Sequence, residues 1–143
     1  MKEKILVSAC FLKPGFKYDG TDNYNEKVLK LQERYDFVLV CPEVDGGLPS
    51  PRLASERLGD IVINTQGDDV TDCFFKGANQ ALLLAKENNC QKALLKARSP
   101  SCGKNVIYDG SFTHTKINGH GVACELLLKN GIKVFTEDEI EQL

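Results

Sequence analysis

Three apolar runs in this chain, Ile5-Leu6-Val7-Ser8-Ala9, Phe37-Val38-Leu39-Val40 and Ala93-Leu94-Leu95, all break off into segments that regular structure cannot continue. The first stops at Cys10 and the second at Cys41; the third passes through Lys96-Ala97-Arg98 into Ser99-Pro100-Ser101-Cys102-Gly103. Short runs of Ile, Leu and Val without polar alternation suit strands buried on both faces, as in parallel sheets covered by helices. Parallel strands in turn need crossover helices, and strands alternating with helices select an open α/β architecture. In such a sheet the carboxyl ends of the strands share one edge, where ligands bind. The three cysteines therefore converge on one edge, and the function is to be sought there.

The remaining pattern fills in that frame. Strands are predicted at 4–10, 36–40, 91–97 and 132–135, with a weak edge strand at 60–64. Asn25 is placed to cap a helix reaching Tyr35, with Tyr24, Val28, Leu31 and Tyr35 on one face. The clearest helix is 70–88, which Thr71 can cap, with an apolar stripe of Phe74, Ala78, Ala81, Leu82 and Ala85. Another covers 121–129 and closes at Asn130-Gly131, and Thr136 caps a short C-terminal helix. Loops are expected at 11–21, with turn signals at Lys13-Pro14-Gly15 and Asp19-Gly20, and at 42–52, where three prolines and two glycines speak against regular structure. Residues 53–58 read as a short helical turn and 106–118 as irregular. The expectation is a single α/β domain over 1–143, a Rossmann-like three-layer sandwich with a mainly parallel sheet of about four to five strands.

Composition narrows the function classes. At 143 residues the chain suits one domain with its own core. A net charge of -2 provides no basic footprint for a nucleic acid polymer. No apolar run approaches the ~20 residues of a membrane span, and Met1-Lys2-Glu3-Lys4 leads straight into a strand without signal-peptide architecture. A cytoplasmic location is expected, and there six cysteines are core residues, metal ligands or catalytic groups rather than disulfides. No Cys-x-x-Cys occurs, which argues against a zinc ribbon, a thioredoxin-like enzyme and a ferredoxin-type run. Any metal site must be assembled by the fold from distant segments.

Cys10, Cys41 and Cys102 share one context, an apolar strand before and a Gly- or Pro-containing loop after, whereas Cys73, Cys90 and Cys124 read as core residues. Three thiolates suit an iron–sulfur cluster with one exposed iron, or a zinc with an open position; softness alone does not choose, and reactive thiols without metal are a third reading. Glu43, two residues after Cys41, can reach whatever the cysteines hold, and Ser101 can donate or accept a proton. Arg52, Lys96 and Arg98 can hold anionic substrate groups; His114 and His120 read as solvated. No Gly-x-Gly-x-x-Gly follows the first strand, so no nicotinamide or flavin is called for. The competing class is a non-catalytic α/β module binding zinc or an anionic metabolite at the strand ends.

At these residues the sequence resembles the DUF-523 (YbbK-like) family, related to 2-thiouracil desulfidase. The shared features are Val7-Ser8-Ala9-Cys10, Tyr18-Asp19-Gly20, the segment from Cys41-Pro42-Glu43-Val44 through Gly46-Gly47-Leu48-Pro49 to Pro51-Arg52, Asp69-Val70-Thr71, Gly77-Ala78, Ser99-Pro100-Ser101-Cys102-Gly103, Tyr108-Asp109-Gly110 and Gly121-Val122. The resemblance implies a 4Fe-4S cluster held by Cys10, Cys41 and Cys102, with one iron free of protein ligands to take sulfur from a thiolated nucleobase while water supplies the oxygen. It implies Glu43 and Ser101 as acid–base and proton-handling groups. Ser8 and Asp19, inside the shared motifs, are expected to join Arg52, Lys96 and Arg98 on the substrate side. The implied partner is a small thiolated base or analogue, with no nucleic acid polymer and no membrane, and a homodimer is compatible with it. The chain departs from the family at 13–17: Gly15-Phe16-Lys17 stands where members often carry a further cysteine, and Lys13-Pro14 where a glycine is expected.

Overall fold

Alternating side chains on the strands put a core cluster on each face of the main sheet. In the computed structural model, which describes residues 2–12 and 17–143, the chain runs through β1 (Glu3–Ser8), α1 (Glu26–Lys30), β2 (Tyr35–Val40), α2 (Pro42–Asp45), a hairpin of β3 (Ser55–Leu58) and β4 (Ile61–Asn64), α3 (Thr71–Glu87), β5 (Lys92–Leu95), a second hairpin of β6 (Val106–Tyr108) and β7 (Lys116–Asn118), α4 (Val122–Lys129) and β8 (Lys133–Thr136). Four strands form the main sheet in the order β2-β1-β5-β8, with every pairing parallel. Leu6, Val40, Ala93, Leu95 and Val134 point to one face and pack with Ala81, Ala85, Cys124 and Leu127 of α3 and α4. Ile5, Val7 and Leu94 point to the other, where Val28 of α1 and the 3-10 residues Phe11 and Leu31 cover them. The three-layer α/β sandwich is thus the one expected, with four parallel strands.

The helix expected from Asn25 to Tyr35 is shorter. Asn25 does cap it, its side chain accepting from Lys27 and Val28 N–H. After Lys30 it tightens into a 3-10 turn, Leu31–Glu33, and Tyr35 already belongs to β2. Tyr24 stays exposed, so its spacing with Val28 is coincidental. Thr71 does not cap α3: its hydroxyl accepts from Val62 N–H and ties β4 to the helix start, while Asp69 accepts from Thr71 N–H. Thr136 caps the C-terminal 3-10 segment Glu137–Gln142 through a full capping box with Glu139.

Three further expectations are corrected. Pro42–Asp45 is one α-helical turn, because a proline at the first helical position costs no hydrogen bond. Residues 53–58 contribute β3 rather than a helical turn, paired antiparallel with β4 in a hairpin outside the main sheet. Residues 106–118 hold β6 and β7, whose three-residue strands are too short for periodicity to reveal. The turn expected at Lys13-Pro14-Gly15, and most of the segment that departs from the family, lies outside the described residues. No helix among the described residues is long and apolar enough to cross a membrane.

Candidate active site

Cys10 lies in the 3-10 turn Ala9–Phe11 directly after β1, Cys41 stands between β2 and α2, and Cys102 sits in the loop following β5. Because β2, β1 and β5 are neighbours in the sheet, all three cysteines line a single cavity of about 520 Å³ at the carboxyl edge. Three close approaches of backbone hold the loops in place. A Cβ on Gly77 of α3 would overlap the Pro42 carbonyl, and one on Gly46 would overlap the Cys73 carbonyl, so α2 lies directly on α3. A Cβ on Gly121 would overlap the Ser101–Cys102 peptide. Gly121 starts α4, whose otherwise unpaired first N–H groups serve the cysteine loop: Val122 donates to the Pro100 carbonyl at 2.9 Å and Ala123 to that of Ser101 at 2.8 Å. Gly103 is packed against the Ser99 backbone, where a Cβ would meet the Ser99 carbonyl oxygen and nitrogen.

Glu43 is fixed from two sides. Arg52 Nε donates to Oε1 at 3.0 Å, and Ser101 Oγ donates to Oε2 at 3.1 Å. Both members of the ion pair are shielded, with side-chain exposures of 6% for Arg52 and 13% for Glu43. Ser8, the last residue of β1, accepts from Lys96 N–H at 3.0 Å and points its hydroxyl at Cys102 Sγ, 3.6 Å away.

Burial pushes all three thiols up. Cys102 moves furthest, against hydrogen bonds from Ser101 and Ser8; Cys41 is pushed to about 11; Cys10 rises despite a hydrogen bond from Asn23 and the nearby Lys96 charge. A thiol in that state is a poor nucleophile at neutral pH, which weighs against the metal-free reading. A bound metal reverses the balance, since a coordinating thiol gives up its proton. Among the described residues no three His, Cys, Asp or Glu side chains gather closely enough to hold one metal ion. Three soft thiol donors lining one cavity fit a cluster held by three cysteines.

The profile of the 2-thiouracil desulfurase family matches residues 5–139. This chain belongs to that family. The uncharacterized protein YbbK of Bacillus subtilis (strain 168) is 37% identical over an alignment of 149 positions, spanning 97% of this chain and 99% of the relative. The solved structure of the 4Fe-4S-dependent thiouracil desulfidase TudS (DUF523Vcz) superposes with a TM-score of 0.91 at 42% identity, covering 99% of this chain and 95% of that one. Family membership agrees with the resemblance carried by the motifs and displaces the non-catalytic module.

Within this desulfurase fold the cavity gathers Ser8, Cys10, Cys41, Glu43, Arg52, Lys96, Arg98, Ser101 and Cys102 from the expected set. Asp19 is not among its lining residues. Its carboxylate accepts from Thr21 N–H and hydroxyl and so closes a turn that presents Tyr18 at the rim. Lys96 and Arg98 reach the cavity but are already paired, Lys96 with Glu137 at 2.8 Å and Arg98 with Asp138 at 3.2 Å. Cys73, Cys90 and Cys124 do not line the cavity. His120, expected to be solvated, is half-buried and accepts from Asn105 N–H through Nδ1, while His114 stands exposed at the cavity mouth.

Three residues that shape the site are not marked as site residues by the sequence pattern. Asn23 bonds the Cys10 thiol. Glu137 accepts from Ala97 N–H at 2.7 Å as well as pairing with Lys96. Ser99 accepts from two backbone N–H groups of the cysteine loop. Only Ser99 carried a signal, since a serine ahead of Pro-Ser is a turn former whose hydroxyl bonds the following backbone.

Proposed function

We propose that this protein removes sulfur from a thiolated pyrimidine of the thiouracil type, or a similar thiocarbonyl compound, exchanging C=S for C=O with water. It is an enzyme of the 2-thiouracil desulfurase family with a 4Fe-4S cofactor, and Cys10, Cys41 and Cys102 are the ligands we assign. The observation that carries this reading is the meeting of those three thiols with the Arg52–Glu43–Ser101 chain in one cavity. A cluster held by three thiolates supplies one iron without a protein ligand, a soft Lewis acid that prefers sulfur to oxygen.

The chain's own residues handle the water and its protons. Glu43, anchored by Arg52, takes a proton from the attacking water, and Ser101 passes it on toward the departing sulfur. Ser8 steadies the Cys102 sulfur through its hydroxyl and, with Arg52 and Lys96, forms the polar part of the wall. Asp19 and Arg98 act at the rim, shaping the approach. One water enters, hydrogen sulfide leaves, and no electrons are exchanged, so no redox partner is required. A compartment that keeps thiols reduced suits the ligands, and we place the enzyme in the cytoplasm.

Replacing Glu43 by Gln keeps the side chain's shape and removes its basicity. In cluster-loaded protein, Glu43→Gln should retain iron and acid-labile sulfide while thiouracil turnover falls about 10²–10⁴-fold, the usual worth of general acid–base help. Turnover at the parent rate would remove Glu43 from the chemistry.

A further inference from the structure

Ser99 precedes the two residues on which the proposed chemistry draws, and its hydroxyl is fully committed. Its oxygen accepts from Ser101 N–H at 3.1 Å and from Cys102 N–H at 3.0 Å. A hydroxyl has two acceptor sites and one proton. With both acceptor sites taken by backbone donors, the Ser99 oxygen cannot accept from Ser101, so its own proton must be given away. Ser101 Oγ lies 2.9 Å from it. Ser101 therefore accepts from Ser99 and must point its one proton elsewhere. Two acceptors are within reach, Glu43 Oε2 at 3.1 Å and Cys102 Sγ at 3.6 Å. The carboxylate is the nearer and the stronger acceptor.

We infer that Ser99 is a positioning residue that sets the direction of the Ser101 hydroxyl, so that in the resting enzyme the proton runs from Ser99 to Ser101 to Glu43. This rests on the reading of Glu43 and Ser101 as the proton-handling pair and goes beyond it by assigning what orients them. The arrangement leaves Ser101 two destinations and one default. While Glu43 is ionised, the Ser101 proton is held on the carboxylate. Once Glu43 has taken a proton from water it can return that proton to the Ser101 oxygen while Ser101 gives its own to the departing sulfur, so the hydroxyl is restored. Ser99 cannot reverse the direction, because its two backbone donors move only with the loop. Those donors belong to a loop already tied by α4 and by the Gly103 N–H, which donates to the Ser99 carbonyl at 2.8 Å.

The test separates orienting from holding. Ser99→Ala, Ser99→Thr and Ser99→Asp would be purified anaerobically with the cluster in place, and kcat and KM for 2-thiouracil expressed per cluster, counted from iron and acid-labile sulfide. A residue that merely holds the loop changes how many chains carry a cluster and leaves kcat per cluster unchanged. A residue that orients the Ser101 proton changes kcat per cluster. Ser99→Ala should lower kcat per cluster about tenfold or more, the loss of one hydrogen bond to a charged system, with KM within about twofold. Ser99→Thr, keeping donor and acceptors, should return kcat to near the parent. Ser99→Asp keeps the acceptors for the two backbone N–H groups but cannot donate, so Ser101 turns toward position 99; it should match Ser99→Ala in kcat while retaining more cluster. Parent kcat per cluster in Ser99→Ala or Ser99→Asp would overturn the assignment. So would loss of the cluster from both, which would leave Ser99 as a support for the loop alone. Glu43→Gln is measured alongside. If it too turns over at the parent rate, the proton-handling reading has failed; if it is impaired while Ser99→Ala is not, only the role of Ser99 has failed.

Discussion

Cys41 and Cys102 reach the same cavity on loops fastened in different ways. The Cys41 loop is fastened by fit: its single helical turn rests on α3 where Gly46 and Gly77 remove the side chains that would keep the two backbones apart. The Cys102 loop has one such backbone contact, at Gly121, and is otherwise fastened by polar bonds. The first turn of α4 donates to its carbonyls, and three consecutive acids of the C-terminal 3-10 segment, Glu137, Asp138 and Glu139, pair with Lys96, Arg98 and Lys104 on either side of it. A seat made by fit has no partial state, because a Cβ either clears the facing carbonyl or displaces it. A polar seat weakens bond by bond, each ordinary bond worth about 1 kcal/mol net. The two loops should therefore fail differently under mutation even though they serve one centre.

At the sulfur atoms themselves the difference should vanish. Cys10→Ser, Cys41→Ser and Cys102→Ser are each expected to abolish cluster binding, while Cys124→Ala, a core substitution outside the cavity, leaves iron and sulfide at the parent level. Anaerobic reconstitution followed by iron and acid-labile sulfide analysis checks this. A full cluster in Cys102→Ser would sink the three-ligand assignment and with it the claim that both loops serve one centre.

The contrast sharpens one step back from the ligands. Gly77→Ala adds one methyl where the Pro42 carbonyl lies, and overpacking of that kind costs about 1–3 kcal/mol. The displaced element carries both Cys41 and Glu43, so cluster content and turnover per remaining cluster should fall together. Lys76→Ala, on the exposed side of the same helix, should change stability by less than about 0.5 kcal/mol. Thermal unfolding with iron analysis on both variants is the measurement. If Gly77→Ala leaves cluster and turnover intact, α2 has room to slide and the fit is looser than the backbone contact indicates.

How much of this was legible in the sequence follows from the same contrast. The apolar runs showed the sheet, since Ile5, Leu6 and Val7, like Leu94 and Leu95, have no polar alternation and can only be buried strand. The cysteines stood out because each interrupts such a run. Motif resemblance supplied the cluster and the Glu43 and Ser101 roles, which spacing did not. The hairpins were only partly legible: the edge strand expected at 60–64 is β4, but its partner Ser55-Glu56-Arg57-Leu58, like Lys116-Ile117-Asn118 of the second hairpin, is short and mostly polar and shows no strand period. Nothing in the local pattern marks Gly77 as a contact point, since the facing Pro42 carbonyl belongs to a distant segment of the chain. Lys96 and Arg98 read as cations for an anionic substrate because the acids that pair with them, Glu137 and Asp138, lie far along the chain in the C-terminal turn. Long-range pairing of charges leaves no mark on local pattern.

The smallest effects lie within the acidic clamp, and they test whether its members are equivalent. Lys96 and Glu137 are shielded, with side-chain exposures of 24% and 12%, and the carboxylate also receives the Ala97 N–H. Glu137→Gln can keep that N–H on its amide oxygen, but it turns an NH₂ group toward the Lys96 ammonium in place of a carboxylate oxygen. A charged hydrogen bond lost in a shielded place costs about 1.5–3 kcal/mol. Arg98 and Asp138 are open to water, at 38% and 63%, and exposed pairs are typically worth about 0–1 kcal/mol. Asp138→Asn should therefore lie near the lower end of that range, and urea unfolding of the cluster-loaded protein should rank Glu137→Gln well below it in stability. Added salt should narrow the small effect of Asp138→Asn and leave that of Glu137→Gln standing, because screening reaches exposed charges first. If the two variants instead cost the same and salt erases both, the Cys102 loop is held by the net charge of the C-terminal turn. The distinction between a fitted and a hydrogen-bonded seat would then have to be redrawn as one between a fitted and a merely charged one.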